Sequence, residues 1–343
     1  MTTLPTTEPA PVKLARDLAE AAGALAASGS TADSPPVRPG AALPPAMRAR
    51  LARLTRPPAP GAGYRVVKGL FSAFGDQGPT ATHWKDTDRE RTAALDLGIV
   101  LVAALHGEVF GWENQQDGHL VHNILPSPQY AHMQVGGSST TALSWHTEDA
   151  FHPDRADFLL LVCVRNPDGI GSRIATVGSL DLEPDRIARL SEPRLVIHPD
   201  DSYQPDGSDP DDSLADGSAG HRGPDGMATL SNRSGRMCLR YDPTYTRILT
   251  DDPAFLDAYE ELGRQLEERS RMVALEPGDL LIVDNDAAVH GRGSFRARYD
   301  GTDRWLKRVL VRSGRSRPPS ERHEQGFGQR QTGWTRPASE ERR

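Results

Sequence analysis

Three residues of this chain have the types and spacing to hold a single metal ion. In Ser144-Trp145-His146-Thr147-Glu148-Asp149, His146 and Glu148 stand two apart, so on a β-strand both side chains leave the same face and can reach one ion. A third ligand is expected from a distant histidine beside a later strand. Leu281-Ile282-Val283-Asp284-Asn285 followed by Val289-His290-Gly291-Arg292 supplies it in His290. Two histidines and a carboxylate on one face leave three coordination positions open, which Fe(II) oxygenases fill with a bidentate cosubstrate and O2; structural zinc sites usually close all four of theirs.

His-X-Glu on its own is a weak signal, because short His/acid pairs arise by chance and most of the eleven histidines are expected in the core or on the surface. The residues around His290 strengthen the pattern. The turn Glu276-Pro277-Gly278-Asp279 leads into a strand and His-Gly-Arg, and Arg304 lies fourteen positions beyond His290 (304 minus 290) in Asp303-Arg304-Trp305-Leu306-Lys307-Arg308. If 2-oxoglutarate chelates the iron through its keto acid end, its far carboxylate needs a cation, and a bidentate arginine suits that role. Arg308, four residues on, would share a strand face with Arg304; a surface ion pair is the plainer role for it.

Short strands must position these groups. Tyr64 to Leu70, Phe158 to Val164, Arg194 to His198, Ala228 to Leu230, Met237 to Tyr241, Met272 to Leu275 and Leu280 to Val283 are apolar or β-branched and punctuated by Pro, Gly and Asp. Strands without βαβ alternation predict a sandwich or jelly roll. Helices are expected from Leu14 to Gly29, over Met47 to Leu54, over Ala93 to His106, and after the Asp252-Pro253 cap, where Phe255, Tyr259, Leu262 and Leu266 form an apolar stripe. The chain divides into three regions: an N-terminal helical and Pro-rich arm (1–63), a catalytic domain (64–313), and an extended Arg/Glu/Pro-rich tail (314–343). Within the domain, 199–227 crowds Asp200, Asp201 and six further aspartates among Gly, Ser and Pro, which reads as a disordered acidic insertion or a mobile lid.

The 343 residues, 37% hydrophobic, suffice for a sizeable core. A net charge of −7 and the lack of a basic stripe with interleaved aromatics argue against nucleic acid as a partner. Cys163 and Cys238 sit in strand-like runs and are expected as buried, reduced thiols rather than a disulfide. No basic segment leads into an apolar leader, and no apolar run approaches the ~18 residues of a membrane span, so a cytoplasmic location and no membrane contact are expected. Monomer and homodimer are both open.

The runs Trp145-His146-Thr147-Glu148-Asp149-Ala150-Phe151, Arg155-Ala156-Asp157, Arg165-Asn166-Pro167-Asp168 and His290-Gly291-Arg292 through Arg308 resemble the clavaminate synthase-like branch of the Fe(II)/2-oxoglutarate oxygenases. They are most similar to its free amino acid hydroxylases, such as the arginine hydroxylases of viomycin and streptothricin biosynthesis. The resemblance covers roughly residues 64 to 313. It implies a mainly β fold with flanking helices around a double-stranded β-helix, a cupin-like jelly roll. It also implies Fe(II), with 2-oxoglutarate and O2 as cosubstrates, held by His146, Glu148, His290 and Arg304. Glu148 matches the branch's use of Glu where most relatives have Asp, and argues for hydroxylation over halogenation. Many relatives place a Thr on 2-oxoglutarate where this chain has Ser172-Arg173-Ile174, with Thr176 close by.

For an amino acid substrate, the resemblance implies Gln115 and Glu148 at the amino end and Arg308 at the carboxylate. A cationic side chain would need acids, and Asp200, Asp201 and Asp242 are the candidates, since two carboxylates can grip one guanidinium. Each alone is an ordinary loop residue; their coincidence with the matching family positions favours L-arginine, and the resemblance implies hydroxylation at C3, with C4 as a second candidate position, in antibiotic biosynthesis. The alternatives are asparagine, lysine or citrulline as substrate, or a non-oxidative zinc-binding cupin-like protein.

Overall fold

The computed structural model describes residues 4–34, 39–203, 226–318, 321, 324 and 326–333. Its architecture grows from strands that are apolar on both faces. The sequence Phe-Leu-Leu-Leu-Val-Cys-Val-Arg forms strand Phe158–Arg165 in the middle of a sheet. Leu159 and Leu161 enter one apolar cluster and Leu160 and Val162 another, as a period of two requires.

In chain order the first half contains β1 (Thr6–Pro9), α1 (Val12–Ala27), α2 (Pro39–Ala42), α3 (Pro45–Leu54), β2 (Tyr64–Lys68), α4 (Arg89–Ala103), β3 (Glu108–Trp112), β4 (His122–Ile124), β5 (Leu143–His146), β6 (Phe158–Arg165) and β7 (Ser172–Thr176). The second half contains α5 (Pro184–Leu190), β8 (Leu195–Ile197), β9 (Leu230–Arg233), β10 (Arg236–Leu239), β11 (Thr246–Ile248), α6 (Pro253–Glu268), β12 (Arg271–Val273), β13 (Leu280–Asp284), β14 (Ala288–Arg292), β15 (Trp305–Arg312) and β16 (Gln331–Gly333). The major sheet runs β1-β2-β13-β6-β15-β3-β16, with β4 also pairing with β15. A minor sheet runs β12-β7-β14-β5, and β8 with β11 and β9 with β10 make two-stranded pairs.

The layers are set by which residues each face buries. One face of the major sheet, through Val67, Leu160, Ile282 and Val309, packs on Leu14 and Leu18 of α1 and on the apolar run of α4. Its other face, through Val66, Leu161, Val283 and Leu306, meets Ile174 and Ala288 of the minor sheet. The outer face of the minor sheet, through Ala175 and Val289, is covered by Leu190 of α5 and by Ala258, Leu262 and Leu266 of α6. Lys307, fully buried, ties β15 to α4 by an ion pair with Asp96 at 2.7 Å.

The predicted elements are present with shifted ends. Helix α4 begins at Arg89 rather than Ala93 because Asp88 caps it, accepting the Arg91 N–H at 3.0 Å. The strand expected at Ala228 starts at Leu230, since the Thr229 amide and carbonyl bond to Leu190 and Arg240 instead. Cys163 and Cys238 are free and buried. Residues 204–225, most of the acidic stretch expected at 199–227, lie outside the described residues. No helix among the described residues is long and apolar enough to cross a membrane. Of the described residues after Ser313, Gln331–Gly333 form β16, antiparallel to β3, so this part lies against the body.

Candidate active site

The minor sheet brings the two histidines together. In the antiparallel pairing of β5 with β14, His146 stands directly opposite His290, a position in which Cβ atoms approach within ~5 Å, and their rings lie 4.2 Å apart. The register slips after this pair, so that Arg292 faces Leu143. Gly291 occupies the slip, where a Cβ would come within 2.7 Å of the Leu143 carbonyl oxygen. The glycine of His-Gly-Arg is thus required by the close approach of β5.

Glu148 reaches the same point by a different route from the one its spacing suggests. Strand β5 ends at His146 and Glu148 lies in the turn beyond it, so the shared strand face expected for His146 and Glu148 is not what positions them. The turn is held by Asn285, at the end of β13, whose side chain binds the Glu148 N–H and C=O. It is also held by Asp149, at φ 51°, which accepts Trp112 Nε1–H at 2.8 Å and the Tyr203 hydroxyl. Glu148 Oε2 lies 3.4 Å from His290 Nε2 and 3.9 Å from His146 Nε2. The three ligand atoms all fall within 4.8 Å of one another.

This donor set fits a divalent ion. Burial and the neighbouring His290 lower the His146 pKa, which keeps the imidazole neutral, and its Nδ1 bonds the Ser144 carbonyl at 3.0 Å, leaving Nε2 to face the cluster. Burial alone would raise the Glu148 carboxyl. The Arg308 guanidinium, with both histidines, outweighs it and holds the group ionised well below the carboxylate range.

Arg304, just before β15, and Arg308, on it, divide the cavity. Arg304 is buried, its Nε has no hydrogen-bond partner, and its Nη2 donates only weakly to Ser172 Oγ at 3.3 Å. Among the described residues it has no carboxylate within ion-pair distance, and burial pushes its pKa down to about 10. An unpaired buried guanidinium calls for an anion, which is the observation that a dicarboxylate cosubstrate would satisfy. Ser172 is on the cavity wall. Arg308 instead bonds Glu148, Gln115 Oε1 at 3.0 Å and His122 Nδ1 at 2.8 Å.

All nine residues singled out from the sequence line one cavity of about 510 Å³: Gln115, His146, Glu148, Asp200, Asp201, Asp242, His290, Arg304 and Arg308. Burial raises the Asp200 and Asp242 carboxyls to about 6 each. Among the described residues, neither they nor Asp201 has a Lys or Arg within ion-pair distance. Gln115 Nε2 donates to Ser202 Oγ, and Ser202 bonds Asp200, so the acid end and the Arg308 end are linked through hydrogen bonds. Sequence reasoning missed Asn285, His122, Ser202 and Arg292. Arg292 is a second buried guanidinium on the cavity wall, lowered to about 9 by burial and by Arg304. Asn285 and Arg292 were visible as polar residues inside apolar strand motifs; His122 and Ser202 left no signal.

The family model for taurine catabolism dioxygenase TauD, TfdA family, matches residues 99–310. An L-ornithine/L-arginine 3-hydroxylase of Catenulispora acidiphila is 36% identical over 81% of this chain and 84% of its own length. An enduracididine beta-hydroxylase of Streptomyces hygroscopicus is 38% identical over 63% of this chain and 66% of its own. The crystal structure of the non-heme iron oxygenase OrfP with Fe, succinate and (3S)-hydroxy-L-Arg superposes with a TM-score of 0.75 at 35% identity, covering 90% of this chain and 94% of that one. By family match, identity over most of its length and a metal-competent cavity, the chain belongs to the TauD/TfdA dioxygenase family and is an iron- and 2-oxoglutarate-dependent oxygenase.

Proposed function

We propose that this enzyme hydroxylates free L-arginine at C3, with C4 as a second position, within a 64–313 catalytic domain built as a double-stranded β-helix. The single observation that carries the substrate is the placement of Asp200, half-buried, and Asp242, buried, neither with a Lys or Arg in ion-pair distance among the described residues, in the cavity that also holds Arg308. Such a cavity is complementary to a molecule with a carboxylate at one end and a guanidinium at the other. The Catenulispora relative bears arginine in its name, and OrfP has been crystallised with L-Arg and with (3R,4R)-dihydroxy-L-Arg.

In this reading His146, Glu148 and His290 hold Fe(II), which with 2-oxoglutarate and O2 supplies the oxidant. Arg304 takes the far carboxylate of 2-oxoglutarate. Arg308 exchanges its contact with Glu148 for the substrate carboxylate, while Gln115 and the freed Glu148 oxygen accept the substrate ammonium. Asp200, Asp201 and Asp242 hold the guanidinium, which fixes the distance from the carboxylate to the iron and so selects the C–H bond presented. The enzyme would act in the cytoplasm, as a monomer or homodimer, in antibiotic biosynthesis.

Aerobic incubation with Fe(II), 2-oxoglutarate and each proteinogenic amino acid, with citrulline and ornithine added, tests this by mass spectrometry. Arginine is expected to give succinate and a product heavier by one oxygen. Oxygen incorporation into another amino acid in preference to arginine would overturn the substrate assignment.

A further inference from the structure

We propose that the described residues between Arg315 and Phe327 act as a positioning strap for the active site, in which Glu324 and Glu321 hold the turn that carries Glu148. The inference rests on the reading of Glu148 as a residue of the iron site. A charged tail is normally a solvated one, yet here Arg315, Arg317, Glu321 and Glu324 each meet a buried partner of opposite sign. Glu321 takes Arg155 bidentately, at 2.8 and 3.1 Å, and Arg155 is 1% exposed. Glu324 Oε2 accepts from Arg240 Nη1 at 2.6 Å, and Arg240 is 2% exposed. Arg315 and Arg317 reach Asp284 and Asp286, the residues on either side of Asn285.

The link to the site runs through Arg240. Its Nε donates to the carbonyl of Ala150, and the Ala150 N–H closes the Glu148 turn on the Thr147 carbonyl at 3.2 Å. The neighbouring Tyr241 carbonyl accepts the Thr147 N–H at 2.8 Å. One guanidinium therefore sits where the segment of Glu148 meets the segment of Asp242, and among the described residues its carboxylate is Glu324. The strap also presses on the turn directly. Gly326 lies so close to His152 that a Cβ there would be 2.1 Å from Nε2. The ring of Phe327 stands 5.9 Å from Phe151 and 5.8 Å from His198, at the base of the segment leading to Asp200. Loss of Glu324 would leave Arg240 a buried cation without its counter-charge, and the cheapest relief is movement of the turn it binds.

The test compares the full-length wild type with Glu324→Gln, which keeps the volume and removes the charge, and with Glu324→Asp, Arg240→Gln and the double variant Glu324→Gln/Arg240→Gln. Amide hydrogen exchange at residues 147–152 is expected to accelerate in Glu324→Gln while the β6 and β13 amides stay unchanged. Co(II) affinity, read from its visible absorption, is expected to fall by about tenfold, the usual cost of losing an outer support of a metal ligand. Glu324→Asp should lie between, and the double variant should be no worse than Arg240→Gln alone. Unchanged exchange in the turn, or an equal acceleration throughout the protein, would overturn the strap whatever the turnover. The visible band of wild-type enzyme with Fe(II) and 2-oxoglutarate, recorded anaerobically, tests the oxygenase reading separately: its absence would sink that reading while the exchange result still decides the strap.

Discussion

Asn285 holds the main chain of Glu148 on both sides: its Oδ1 accepts the Glu148 N–H at 2.9 Å and its Nδ2 donates to the Glu148 carbonyl at 3.0 Å. The same amide donates to the Ala156 carbonyl at 3.0 Å, and the residue is fully buried. A carboxylate that lies past the end of its strand is thus aimed by a side chain just beyond β13, on the turn that leads towards His290.

Asn285→Ala is therefore expected to act on both stability and metal binding. Orphaning one buried amide and two carbonyls costs about 1–3 kcal/mol for each group that water cannot reach, and metal affinity should drop about 10- to 100-fold as Glu148 loses its support. Denaturant unfolding of the metal-free protein and Co(II) titration separate the two. A variant that loses stability but binds Co(II) as the wild type does would show that Asn285 serves the fold alone.

Arg304→Gln should raise the KM for 2-oxoglutarate by about 10²-fold, since a charge-assisted bidentate contact is worth several kcal/mol when desolvated. The KM for arginine should change little. Arg304→Lys should recover part of the loss, because an ammonium keeps the charge and gives up the fork. Succinate formation at varied 2-oxoglutarate provides the measurement, and an unchanged KM in Arg304→Gln would move the cosubstrate elsewhere, with Arg292 the next candidate on the wall.

Asp242 predicts opposite effects on stability and activity. Burial raises its pKa from 3.8 to about 6, so the folded state holds this proton more tightly than the unfolded chain does. The stability contributed by this group is then fully present below about pH 4 and is lost as pH rises through 6, by at most about 3 kcal/mol. Asp242→Asn, whose Oδ1 can still accept the Thr244 and Tyr245 N–H groups, should be more stable than wild type at pH 7 and gain nothing at pH 4. Its arginine turnover should fall by about 10²-fold or more, the cost of losing one partner of a buried charge pair. For the wild type, the arginine KM should rise below pH 6 as Asp200 and Asp242 take up protons. Equal stability of Asp242→Asn and wild type at pH 7 would count against a strained, buried carboxylate.

Much of this site was legible in the chain because its chemistry depends on residue type. His and carboxylate side chains are the usual ligands of an open divalent site, and only an arginine offers a planar fork, so His146, Glu148, His290 and Arg304 stood out at their spacings, while a role for Arg308 came with the family resemblance. The apolar runs of β6, β13 and β15 and the stripe on α6 were readable because burial on one or both faces imposes a period. His146 and Glu148 do not share a strand face as their spacing implied. A spacing of two implies a shared face only while the strand continues, and β5 stops at His146.

The sequence by itself determined which residues are candidates for the ligand set, the two arginines and the acids proposed for a cationic substrate, because those are matters of which atoms can coordinate, donate or accept. Tertiary structure alone decided that His146 faces His290 across a ladder, that Asn285 aims Glu148, and that a charged C-terminal stretch pairs with Arg155 and Arg240. Pairings between residues more than eighty positions apart, such as Glu324 with Arg240 (324 minus 240), leave no periodic trace along the chain. They exist only once burial has removed the water that would otherwise take each partner's place.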